Sequence, residues 1–129
     1  MRLLLDSHAL LWWQLGDRRL PSMAKQAIAD QDTEALVSIA SIWELAIKLG
    51  LGKLPEAESS IAELRTGGSL PGFTMLPISE QHAVDAGLLE ISHRDPFDRM
   101  LIAQARRESL VLVSNESIFD GFGVTRLWK

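Results

Sequence analysis

Residues 95–114, DPFDRMLIAQARRESLVLVS, combine a helix start, a helix and a strand. Asp95-Pro96 places a capping acid before a proline at the first helical position, which predicts a helix from Phe97 to Glu108. The continuous apolar run Leu110–Val113 that follows is typical of a strand buried on both faces of a sheet. This stretch is therefore one helix–strand unit with acids at the mouth of its helix.

The same alternation runs through the rest of the chain. Arg2 to Leu5 is predicted as a buried strand that ends at Asp6, and Ser7–Leu15 as a helix stopped by Gly16. Further strands are predicted at Leu36–Ser38, Phe73–Ile78 and Val124–Trp128, and further helices at 22–29 with Ser22 as its cap, Ser41–Leu49, Glu56–Arg65 and 80–89 with Ser79 as its cap. Alternating strands and helices predict an α/β fold with a central parallel sheet and helices on both faces. We expect one domain spanning residues 1–129.

Composition excludes several kinds of site. The 129 residues include no cysteine, which excludes disulfides, thiolate zinc sites and cysteine nucleophiles. The three histidines are scattered, which argues against a zinc site built on imidazole. The net charge of −4 argues against nucleic-acid binding, unless several carboxylates are gathered around a cation. No apolar run has the roughly 20 residues that span a bilayer. The N-terminal apolar run carries Asp6 and lacks a small-residue cleavage site, so we expect a cytoplasmic protein.

Acidic residues fall where a parallel sheet places function, beyond the carboxyl ends of its strands. Asp6 ends the first strand, Glu116 follows the Leu110–Val113 strand, and Asp95 and Asp98 open the helix before that strand. Glu44 lies in the first turn of the helix predicted after the second strand. Clustered carboxylates repel one another, and their oxygens suit Mg²⁺ or Mn²⁺. The pattern predicts a metal site, of the kind that cleaves phosphodiesters when two ions lie roughly 3.5–4 Å apart.

Each acid except Asp6 also has a purely structural interpretation. Ser41 to Glu44 reads S-x-x-E, a capping box. Asp95 and Asp98 both fit simple capping and helix-dipole roles, and Glu116 fits an ordinary loop acid. Asp6 directly follows a buried strand and needs a partner, which favours a functional role.

Other conspicuous side chains are predicted to be structural. His82 is expected on the surface, and His93 is expected close to the acidic turn without a catalytic role. The tryptophans are expected in the core or in a dimer interface; they are Trp12, Trp13, Trp43 and Trp128.

Three stretches carry a family resemblance: LLLDSHALLWW (3–13), SIASIWELAIKLGLGKL (38–54) and HRDPFDRMLIAQA (93–105). They resemble PIN-domain ribonucleases and, more narrowly, the toxin component of VapBC-type toxin–antitoxin systems. LVLVSNESIFDGFGVTRLW (110–128) is similar to the last strands of that family, so the resemblance covers essentially the whole chain. It implies a PIN-like three-layer α/β/α sandwich, Mg²⁺-dependent endonucleolytic cleavage of RNA, inhibition by a cognate antitoxin, and a homodimer.

By matched position, the resemblance implies a catalytic set of Asp6, Glu44, Asp98 and Glu116. Asp6 and Asp98 are expected to bind Mg²⁺ directly, with Mn²⁺ as a substitute, and Glu44 is expected as a third ligand or through water. The family has aspartate after a strand-end Thr-x at the position of Glu116, so direct ligation by this longer side chain is in doubt. Asp95 is a candidate for an additional ligand.

Neighbouring polar residues complete the expected site. Ser7, Ser114 and Asn115 are expected to hold carboxylates or water in place, and Arg99 to position an RNA phosphate. The competing hypothesis is a PIN-like binding module without catalytic activity, in which the acids only cap helices.

Overall fold

Five parallel strands form one sheet in the computed structural model, which describes all residues from 1 to 129. The strands are β1 (Arg2–Leu5), β2 (Glu34–Ser38), β3 (Thr74–Leu76), β4 (Val111–Val113) and β5 (Thr125–Leu127). Their order across the sheet is β3-β2-β1-β4-β5. After β1 the chain adds β2 and β3 on one side of it, and then β4 and β5 on the other side. A topological switch point therefore lies between β1 and β4.

Six α-helices connect the strands. They are α1 (Ser7–Leu15), α2 (Ser22–Ala29), α3 (Ile39–Gly50), α4 (Glu58–Arg65), α5 (Glu80–Leu88) and α6 (Pro96–Arg107), with short 3-10 turns at Pro55–Ala57 and Ser117–Phe119. No helix is long and apolar enough to cross a membrane.

Alternation along β1 produces two separate apolar layers. Leu3 and Leu5 belong to a core of 15 buried residues that includes Leu10 of α1. Leu4 points to the opposite face, into a core of nine buried residues that includes Ile102 of α6. Because successive strand residues face opposite sides, the apolar run Leu3–Leu5 of β1 requires helices on both faces. The predicted three-layer α/β/α sandwich with a central parallel sheet is confirmed.

The caps of two helices differ from those predicted. Helix α3 begins at Ile39, directly after β2, and its cap is Ser38, whose hydroxyl accepts a 3.0 Å bond from the Ala40 amide. The capping-box interpretation of Glu44 therefore fails, since Ser41 lies inside the helix and its buried hydroxyl has no hydrogen-bond partner. Ser22 likewise is the first residue of α2 rather than its cap.

Candidate active site

Asp6 lies at the switch point between β1 and β4. Its backbone N–H donates to the Val113 carbonyl at 3.1 Å, and its carboxylate caps α1 by accepting from the Ala9 amide at 2.9 Å. The side chain is buried, with 7% of the residue exposed. Burial raises the pKa of Asp6, while hydrogen bonds from Ser114 and Ala9 lower it. A buried carboxylate at this position is an electrostatically costly group that a cation would stabilise.

Asp98 lies in the first turn of α6, whose cap is Asp95 as the sequence predicts. Its Oδ2 atom is 2.6 Å from Nε2 of His93. Burial raises the pKa of Asp98 to about 6; the bond with His93 opposes this shift, and the charges of Asp95 and Glu116 add to it. Asp98 is thus a second carboxylate held in surroundings that disfavour its charge.

Glu116 connects these two acids electrostatically, since its charge raises the pKa of both Asp6 and Asp98. It is exposed and follows β4 after Ser114, whose hydroxyl accepts from the Glu116 amide at 3.0 Å. Arg126 donates to the Ser114 carbonyl at 3.1 Å and so helps to hold this turn. The charge of Glu116 is therefore a smaller cause than burial of the raised pKa values of Asp6 and Asp98.

Glu44 occupies a different setting from the one predicted. It lies in the second turn of α3 and is buried, and its Oε2 atom pairs with Nζ of Lys48 at 3.0 Å. The sequence carried a signal for this pair, because residues four apart face the same side of a helix. The ion pair neutralises Glu44 within the chain.

The acids do not form a closed ligand set. No group of three or more acidic or histidine side chains lies close enough together to hold a metal ion. The chemistry of the donors nevertheless fits a hard cation, since they are carboxylate oxygens, and burial raises the pKa values of Asp6 and of the partly buried Asp98. These residues therefore suit Mg²⁺ in kind, while their spacing is wider than that of a bound site.

Arg99 does not serve as predicted. Its guanidinium has five N–H donors, and the structure pairs all five with backbone carbonyls. Backbone carbonyls engage every donor of Arg99, so none is left for the RNA phosphate that the sequence analysis assigned to it.

The remaining predicted residues have mixed environments. Ser7 and Ser114 are buried beside Asp6, whereas Asn115 is exposed. Trp12 is buried as expected, but Trp43 is 61% exposed and meets Phe97 edge-on, with 5.2 Å between ring centroids.

His82 was predicted to lie on the surface, but the structure buries it. Only 2% of it is exposed, and its Nδ1 accepts from the Ser79 amide at 3.0 Å in a capping box of α5. Its Nε2 is 3.0 Å from Oε1 of Glu108, which follows α6. His82 therefore joins the start of α5 to the end of α6.

Two cavities lie away from the predicted acids. One of about 710 Å³ lies between α5 and α6, and another of about 310 Å³ lies beside α1 and α4. Neither is lined by Asp6, Glu44, Asp98 or Glu116. Neither cavity therefore supplies these acids with the enclosed pocket in which a small molecule usually binds.

A parallel α/β/α sandwich with a buried acid, Asp6, at its switch point places this chain among the three-layer α/β proteins. Within this class, residues 3–123 match the model of the PIN domain family, and the chain belongs to that family. No match was found among functionally curated proteins.

Solved structures share the fold at low sequence identity. A chain in the crystal structure of VapBC2 from Rickettsia felis, bound to a promoter DNA fragment, is 14% identical with a TM-score of 0.74, covering 100% of both chains. VapC20 from Mycobacterium tuberculosis, described as a Sarcin-Ricin loop cleaving toxin, is 13% identical with a TM-score of 0.70, covering 98% of this chain and 99% of the other. A chain of FitAcB from Neisseria gonorrhoeae is 20% identical with a TM-score of 0.67, covering 98% and 96%.

Proposed function

We propose that this chain is a Mg²⁺-dependent endoribonuclease that acts as the toxin of a toxin–antitoxin pair. The observation that carries the proposal is a buried carboxylate at the switch point of the sheet, Asp6, together with a partly buried carboxylate at the start of α6, Asp98. Burial disfavours the charge of both groups and so reduces the stability of the fold, a cost that a bound cation would offset.

Asp6 and Asp98 would be the direct ligands in this proposal. Glu44 would join them after releasing Lys48, and Glu116 would act directly or through water, with Asp95 as a candidate additional ligand. Bound Mg²⁺, or Mn²⁺ in its place, would supply an activated water and stabilise the charge on the departing oxygen of the phosphodiester. The hydrogen bond from Ser114 would favour the charged form of Asp6, against the effect of burial.

Support for a protein partner comes from the structures of similar fold, which include VapBC2 and FitAcB. We propose that a cognate antitoxin binds this chain, that the toxin is a homodimer in the cytoplasm, and that its substrate is RNA.

Induced expression in a bacterial host tests the proposal. We expect growth arrest by the wild-type chain, and none by Asp6→Asn or Asp98→Asn, because asparagine keeps the shape but removes the charge that the metal needs. Asp85→Asn is the matched control, since Asp85 is a carboxylate on α5 that pairs with Arg107 away from the acidic edge. RNA from the arrested cells should show new cleavage ends, and the purified chain should lose cleavage when EDTA removes the metal.

The competing binding module makes opposite predictions. Equal arrest by all four chains would refute the catalytic assignment and favour action through partner contact. A lack of arrest by every folded chain would refute the toxin role.

A further inference from the structure

Arg99 has every donor of its guanidinium engaged by the backbone. Nε donates to one carbonyl, and Nη1 and Nη2 to two each. The acceptors are Ala86 (3.0 Å), Gly87 (3.3 Å), Leu89 (2.8 Å), Ile91 (3.4 Å) and His93 (3.1 Å). They lie in the end of α5 and in the connection that leads to α6. One side chain therefore organises a segment that has no strand ladder of its own to satisfy its carbonyls.

His93 is held from two sides. Its carbonyl accepts from Arg99, and its ring Nε2 lies 2.6 Å from Oδ2 of Asp98. The three residues thus form a chain of contacts that ends on a carboxylate of the candidate site. Ring and carboxylate are mostly buried, with 26% and 18% of their side chains exposed, so water competes weakly for this bond.

We propose that Arg99 and His93 are positioning residues that hold the Asp98 carboxylate in its metal-binding orientation. Arg99 fixes the backbone of residues 86–93, and His93 then donates to Oδ2, while Oδ1 has no hydrogen-bond partner within the chain. Groups that hydrogen-bond a ligating carboxylate typically contribute 10–100-fold to metal affinity. The inference rests on the proposed metal-dependent function, but the linkage itself can be tested without metal.

Arg107 provides a matched control for Arg99. It lies on the same helix, and its guanidinium pairs with both oxygens of Asp85, at 2.6 and 3.1 Å. Arg107 thus also joins α5 to α6, but it contacts no residue that touches an acid of the site.

The first measurement is the proton resonance of the His93 Nε2–H in a ¹⁵N-labelled chain containing EDTA, assigned by its loss in His93→Gln. We expect a slowly exchanging, downfield signal in the wild type and in Arg107→Lys, and its loss in Arg99→Lys, because a lysine ammonium has too few donors for five dispersed carbonyls. An unchanged signal in Arg99→Lys would overturn the proposed linkage.

The second measurement is Mn²⁺ binding by calorimetry. Arg99→Lys and His93→Phe should bind about 10-fold more weakly than the wild type. His93→Gln should largely restore binding because its amide N–H can replace Nε2–H, and Arg107→Lys should bind normally. Equal affinity in all chains would overturn the positioning role. A wild type that binds no Mn²⁺ would instead refute the proposed function, and the positioning role with it.

Discussion

Replacing Asp98 by asparagine should stabilise the metal-free protein at neutral pH. Its carboxyl pKa is raised from 3.8 to about 6, chiefly by burial. At about 1.36 kcal/mol per pKa unit, this sets an upper bound of about 3 kcal/mol on the cost of ionising Asp98 in the folded state. Solvent reaches part of the side chain and screens it, so we expect a gain of about 1–2 kcal/mol for Asp98→Asn. The substituted amide oxygen can still accept from His93.

The sign of the pH dependence follows from the raised pKa. Stabilisation by protonated Asp98 is fully present below about pH 3.8 and is lost as the pH rises through about 6. Asparagine does not titrate. The variant should therefore have a higher free energy of unfolding than the wild type above pH 6, and this difference should disappear near pH 4. Urea unfolding in EDTA at pH 7.5 and pH 4.0 measures both values; at pH 7.5 the melting temperature should rise by about 4–7 °C.

Asp85→Asn again serves as the control. The Arg107 guanidinium lowers the pKa of the Asp85 carboxyl, so replacing this carboxylate by an amide should slightly destabilise the protein at pH 7.5. The reasoning would be refuted by an Asp98→Asn variant that is less stable than the wild type at pH 7.5, or by a gain of equal size at both pH values.

Three further predictions concern the fold, each measured by urea denaturation. Ser38→Ala should cost about 1 kcal/mol because it removes the cap of α3, whereas Ser41→Ala should be neutral or stabilising because its buried hydroxyl has no partner; the reverse order would restore the capping-box interpretation. Leu4→Ala should cost about 2–5 kcal/mol at the centre of the sheet, and Trp43→Ala less than about 1 kcal/mol because the ring is mostly exposed; equal costs would contradict this placement. His82→Phe should cost about 1–3 kcal/mol because it leaves buried donors unpaired, and a neutral effect would mean that His82 is surface-like after all.

The candidate site could be predicted only in part. The position of Asp6 follows from a buried strand that ends in an acid, and the cap of α6 follows from Asp95-Pro96, since both signals lie within a few residues. The prediction placed Glu44 in the first turn of α3, whereas it lies in the second, because the start of this helix depends on where β2 ends. Ser38 is the cap because the strand passes directly into the helix.

The sequence by itself determined the order of strands and helices, the apolar run Leu3–Leu5 of β1 and the acids that follow the strands, because these depend on local periodicity and on adjacent residues. Tertiary structure decided the placement of β1 between β2 and β4 and the coupling of Glu116 to both Asp6 and Asp98. The tertiary structure also decided the partners of Arg99. The sequence shows only that this side chain is basic, whereas in the fold it donates to five backbone carbonyls. The physical reason is that a long polar side chain takes its role from the donors and acceptors that folding brings near it, and those lie far away along the chain or in loops without a periodic signature.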